Sequence, residues 1–104
     1  MLKVYEVAIE MIREITPVIE QIEKRDIDLA RQLKRAASSV VLNMGEGSGS
    51  RGGIRNARYR TALGSARETR ACLDVAEAFG YCTAGERVRG QLSVLSTTLW
   101  KLTA

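Results

Sequence analysis

RAASSVVLNMGEGSGSRGGIRNARYRTALGSARETRACLDVAEAFG, residues 35–80, decides how this chain folds. Its first part continues an apolar series from Leu29 and Leu33 through Ala36, Ala37, Val40 and Met44, spaced for one face of a helix. Its last part repeats the device with Tyr59, Ala62, Ala66, Leu73 and Ala76. Between them Gly45, Gly47, Gly49, Gly52 and Gly53, with Ser48 and Ser50 interspersed, break the pattern. Glycine is the poorest helix former after proline, so the stretch reads as helix, connection, helix. Ala36, Ala37, Ser38 and Ser39 let a neighbouring helix approach closely, with both serine hydroxyls expected to bond back to their own helix.

Working outward, Asp26 is a natural cap for helix two, which is predicted to end near Glu46. Gly80 supplies a C-terminal stop for helix three, predicted over 54–79. Upstream, Val4, Ala8, Met11, Ile15, Val18 and Ile22 define helix one over 3–23. Pro17 inside it predicts a local kink or a boundary displaced by a turn. Ile12 and Ile19 widen the stripe and point to a second packing surface. Downstream, Thr83-Ala84-Gly85-Glu86 has the form of a capping box, and Val88, Leu92, Leu95, Leu99 and Leu102 form the seam of helix four. Trp100 projects roughly 120° away from that seam and is expected to anchor another subunit. No segment reads as a strand, and short joints predict an all-α, antiparallel up-and-down four-helix bundle.

The 104 residues make one domain, 1–104. A monomer of this size buries only about two-thirds of its unfolded surface, so a large site requires assembly. With 45% hydrophobic and 27% charged residues the composition is that of a globular protein. No apolar run approaches the ~20 residues of a membrane span, and the first residues lack a signal-peptide pattern. These features predict a cytoplasmic protein with no membrane partner. Cys72 and Cys82 form no CxxC pair and the chain has no histidine. No metal site and no cofactor are expected, and the usual general base near neutral pH is missing, so no catalytic residue is assigned and a non-enzyme is expected.

The net charge of +4 is unevenly spread. Residues 1–30 hold four basic and seven acidic side chains, 31–70 nine and two, and 71–104 three and three. A positive middle suits an anionic partner, or the acidic first segment of another copy. Arg51, Arg55 and Arg58 follow i, i+4, i+7 spacing and would project together from the start of helix three. Arg31, Lys34 and Arg35 would extend this surface, Tyr59 would offer a platform for a base, and Arg60 and Arg67 would face the other side. The alternative is a solvated face with some arginines paired to Glu46 or Glu68. The glycine-rich joint lacks the lysine and preceding strand of a nucleotide loop. No motif that reads bases is present, so binding would rest on phosphate and weaken with salt. Asn43 and Glu46, one turn apart, are expected to be structural, with Glu46 closing onto an arginine of helix three or of a neighbouring subunit.

The words Arg35-Ala36-Ala37-Ser38-Ser39, Asn43-Met44-Gly45-Glu46-Gly47, Tyr59, Ala62-Leu63-Gly64-Ser65-Ala66-Arg67-Glu68 and Gly80-Tyr81, in this order, resemble the 23S ribosomal RNA intervening-sequence proteins. Relatives of that family include the accessory variability proteins of diversity-generating retroelements. The resemblance implies a four-helix bundle that assembles as a homopentamer. Where the family pattern has alanine before Glu-Gly, this chain has Gly45, which predicts early unravelling of helix two. The resemblance also implies structured RNA or DNA as partner, or a reverse transcriptase for which the protein is an accessory subunit. A scaffold for protein interactions without nucleic-acid affinity is the remaining alternative.

Overall fold

The computed structural model describes residues 2–83 and 85–104. Four helices follow one another: α1 (Leu2–Glu23), α2 (Ile27–Ser48), α3 (Gly52–Ala78) and α4 (Glu86–Thr103). Each packs against the next, and α1 closes on α4, so the four surround one core. Among the described residues there is no strand, and no helix is long and apolar enough to cross a membrane.

The core is the set of stripes expected from the periodicity. Ala8, Met11, Ile15 and Ile22 of α1, Leu33, Val40 and Met44 of α2, Tyr59, Ala62, Ala66, Leu73 and Ala76 of α3, and Leu92, Leu95 and Leu99 of α4 are almost fully enclosed. Small residues line the most extensive seam, that of α2 with α3, where buried Ala36 and buried Ala62 and Ala66 let the backbones approach.

Local signals account for most of the boundaries. Asp26 has extended backbone, and its carboxylate accepts the Leu29 N–H at 2.9 Å, an N-cap as expected. At the end of α3, Gly80 takes φ +75°. Its N–H donates to the Glu77 carbonyl and that of Tyr81 to the Ala76 carbonyl, both at 2.9 Å, the bond pair of a Schellman turn. Phe79 stacks on Tyr81 at 5.2 Å between ring centroids, and Arg25 covers Tyr81 from the α1–α2 joint.

Helix α1 spans Leu2–Glu23, as expected, with Pro17 inside it on the exposed face. Three expectations are corrected. Gly45 does not unravel α2, which continues to Ser48 because Met44 and Gly47 are packed inward on the same turn. The capping box at Thr83 is not formed: α4 begins at Glu86 with Gly85 as a cap that makes no side-chain bond, while Ala84 lies outside the described residues. Glu86 is then the first helical residue rather than the third, out of position for the reciprocal bond. Leu102 is 44% exposed instead of continuing the leucine seam.

Candidate nucleic-acid interface

The α2–α3 joint gathers the residues singled out in the sequence and uses most of them internally. Gly47 is buried, and a Cβ built there would lie 2.4 Å from Cε1 and 2.6 Å from Cδ1 of Tyr59. Only glycine leaves room for this ring. Tyr59 is itself 1% exposed, and the Arg55 guanidinium lies 5.4 Å from its ring centroid. The expected role of Tyr59 as a platform for a base is therefore overturned: the ring is a core element wedged against the α2 backbone and capped by a cation.

One turn down the seam from Gly47, Asn43 Nδ2 donates to the Ser39 carbonyl at 2.9 Å and to Ser39 Oγ at 3.0 Å. Ser39 Oγ meets Ser65 Oγ of α3 at 2.7 Å. The hydroxyl turned back on its own helix is found at Ser38, which bonds the Lys34 carbonyl, and not at Ser39, which reaches across to α3. Below Ser65, the buried Thr69 donates to the Ser65 carbonyl at 2.7 Å. Glu46 Oε2 accepts from Arg58 Nε at 3.0 Å, the pairing with an arginine of helix three expected for it. Asn43 and Glu46 thus lock α2 to itself and to α3.

The cations fall into separate groups. Arg51 precedes α3 as its N-cap, with φ −135° and ψ 159°, so it does not share the helical spacing of Arg55 and Arg58. Arg55 is spent on Tyr59 and Arg58 on Glu46. Arg31, Lys34 and Arg35 are exposed in the first half of α2, and Arg35 is about 16 Å along the axis from Glu46 at 1.5 Å per residue. Lys34 borders a groove between α1 and α2 with Ile12, Ile19 and Ala37. One continuous patch is not formed. Among the described residues Arg31, Lys34, Arg35 and Arg51 have no carboxylate partner, whereas Arg13, Arg58, Arg87 and Arg89 do.

Burial, reinforced by Glu68, pushes the Cys72 thiol up. Burial and Glu77 do the same to Cys82 against the pull of Arg89. Both cysteines are free and held as thiols, the poorly nucleophilic form. Among the described residues no group of three or more His, Cys, Asp or Glu gathers as metal ligands would.

Sequence reasoning missed Ser65 as the partner of Ser39, and Gly47 as the one glycine of its block with a packing duty. No periodic signal marks either, since both depend on the axial register of α2 against α3. It placed Trp100 off the core, and Trp100 is 58% exposed, beside Arg60 and Arg67 of α3.

Comparison with known proteins agrees with this architecture. The chain is similar to the crystal structure of a protein with unknown function from the S23 ribosomal protein family of Bacteroides thetaiotaomicron VPI-5482. The two are 17% identical with a TM-score of 0.84, over 96% of this chain and 97% of that one. At that identity the likeness establishes the fold alone. No curated protein sequence matches the chain. The model of one family, described as 23S rRNA-intervening sequence protein, matches residues 1–100, and with nearly the whole chain covered the protein belongs to that family.

Proposed function

We infer that this protein is a non-enzymatic, cytoplasmic homo-oligomer, a pentamer of antiparallel up-and-down bundles, that engages structured nucleic acid or a ribonucleoprotein through cations of α2 and the α2–α3 joint. The observation that carries this reading is the uncompensated charge of residues 31–70, nine basic against two acidic, with Arg31, Lys34, Arg35 and Arg51 exposed and unpaired among the described residues. Membership in a family described by 23S rRNA supports it. The antiparallel arrangement is supported by the register of the α2–α3 seam, where residue 47 meets 59 and residue 39 meets 65. Free thiols suit a reducing compartment. A neighbouring copy is the fitting occupant of the α1–α2 groove, where Ile12 and Ile19 stay half-buried and acidic Glu20 and Glu23 stand opposite Lys34.

Binding of nucleic-acid-free protein to structured RNA and to duplex DNA across a salt series, with native mass in the same buffers, tests the reading. An oligomer that binds with a steep salt slope is expected. Alanine in place of Arg31, Lys34, Arg35 or Arg51 should flatten that slope by about 0.9 for each duplex phosphate the removed cation had neutralised. Absence of binding at the lowest salt refutes the nucleic-acid role, and a stable monomer refutes the assembly. A protein-interaction scaffold is the second reading, favoured by Leu42, Ile54 and Phe79, each more than 60% exposed.

A further inference from the structure

A cleft of about 480 Å³ lies between the first half of α3 and the last turn of α4, away from the residues assigned above. Arg60, Leu63, Gly64 and Arg67 form one wall, and Trp100 and Thr103 the other. The indole is exposed. Arg60 and Arg67 are exposed and, among the described residues, have no ion pair. They stand two helical turns apart, about 10 Å along the axis. Gly64 lies midway, and a Cβ there would meet nothing within 4 Å, so the space between the two cations is bare. Thr103 spends its hydroxyl on the Leu99 and Trp100 carbonyls. Ala104 completes the lining, and apart from the main chain at that residue no lining group carries a negative charge.

We propose that this cleft binds single-stranded nucleic acid, with one unpaired base stacked on Trp100 and the flanking phosphates held by Arg60 and Arg67. The chemistry follows from the three side chains. An exposed indole beside two unneutralised guanidinium groups repels an apolar cationic surface and suits a ligand that is flat and apolar on one part and anionic on the next. A nucleotide strand has that alternation, and stacking on an aromatic face tolerates any base. The inference rests on the nucleic-acid reading and adds to it a second, base-contacting site on the α3–α4 face.

Trp100 is the chain's single tryptophan, so its emission reports the site directly in the unmodified protein. The probes are an oligouridylate, an abasic strand of the same length and a duplex RNA. Quenching by the oligouridylate and a markedly smaller response to the abasic strand are expected. Trp100→Ala should weaken oligouridylate binding roughly tenfold or more, measured by anisotropy of the labelled strand, while Trp100→Phe retains most of it. Arg60→Glu with Arg67→Glu should abolish it and leave duplex binding by the α2 cations in place. Unchanged emission with duplex binding intact overturns the proposal and spares the broader reading; no binding by any of the three probes overturns both. A fall in native mass on Trp100→Ala assigns the indole to a subunit contact and overturns the proposal as well.

Discussion

Replacing Gly47 by alanine isolates the contact on which the α2–α3 joint turns. The added methyl would sit 2.4 and 2.6 Å from two ring carbons of Tyr59 and 3.2 Å from a third. Tyr59 is 1% exposed, and the one opening beside it is the small cleft it shares with Gly52, Arg55, Asn56 and Leu102, so the ring admits the methyl only by shifting against these neighbours. Inserting a methyl into such a site costs about 1–3 kcal/mol. Against this, alanine gains up to about 1 kcal/mol over glycine in a helix. Gly45→Ala separates the two contributions, because a Cβ there meets only Tyr5 Cε1 at 3.8 Å, an ordinary contact. Both positions lie in the last turns of α2, so the helix gain is common to them. The stability gap between the variants is then the strain alone, about 1–3 kcal/mol, or about 4–8 °C in Tm for each kcal/mol. Urea and thermal unfolding at fixed protomer concentration measure it. In a Tyr59→Leu background the ring is gone and the gap should close, which a double-mutant cycle reads as coupling. Equal stability of Gly47→Ala and Gly45→Ala in the otherwise unaltered protein would refute the wedge.

Tyr59→Phe should be neutral or stabilise by up to about 1 kcal/mol, because it deletes a buried hydroxyl that has no partner among the described residues; a clear loss in urea unfolding would mean that the hydroxyl is bonded. Glu46→Gln and Arg58→Ala, taken through a double-mutant cycle, should show a coupling below about 1 kcal/mol that shrinks with salt, since the two side chains are about half exposed, at 57% and 47% respectively. The thiols make stability depend on pH in one direction. Their pKa values are raised in the fold, so the native state holds those protons more tightly than the unfolded chain. Their contribution is complete below the ordinary thiol pKa of about 8.5 and is lost as pH rises through the folded values. Urea unfolding between neutral and alkaline pH should show a shallower decline in Cys72→Ala with Cys82→Ala than in the parent, and parallel declines would contradict it.

The helices and their inward faces were legible because burial repeats with the helical period, and a stripe such as Ala8, Met11, Ile15 and Ile22 needs no knowledge of its neighbours. Asp26 and Gly80 were legible for a similar reason, as each satisfies backbone groups within its own few residues. What the residues did not disclose is register. Whether Ser39 bonds its own helix or Ser65, and whether Gly45 or Gly47 is the glycine that must stay bare, depends on how far α3 has slid along α2. Leu102 shows the same limit at a helix end: its spacing is right for the seam, but it sits beside Gly52, Arg55 and Asn56 in the first turns of α3, where it stays partly in water. The arginines misled because helical spacing was extended to Arg51, which lies outside the helix.

The division of labour between motif and surface follows from these contacts. Ser39, Asn43, Glu46, Gly47, Tyr59 and Ser65 all lie within the words by which the chain resembles its family, and their interactions join α2 and α3 to each other or within themselves. Such residues specify a bundle, and their recurrence in another chain argues for the same packing and not for the same partner. On the proposed reading, partner contacts fall to exposed side chains that have no ion pair among the described residues, above all Arg31, Arg35, Arg60 and Arg67. A variant with these four arginines changed to glutamine should keep its helicity and native mass, because surface charges away from packing move stability by little. It should at the same time lose most of its affinity for nucleic acid. Loss of fold in that variant, seen by circular dichroism, would show that the cations belong to the architecture after all and would remove the distinction.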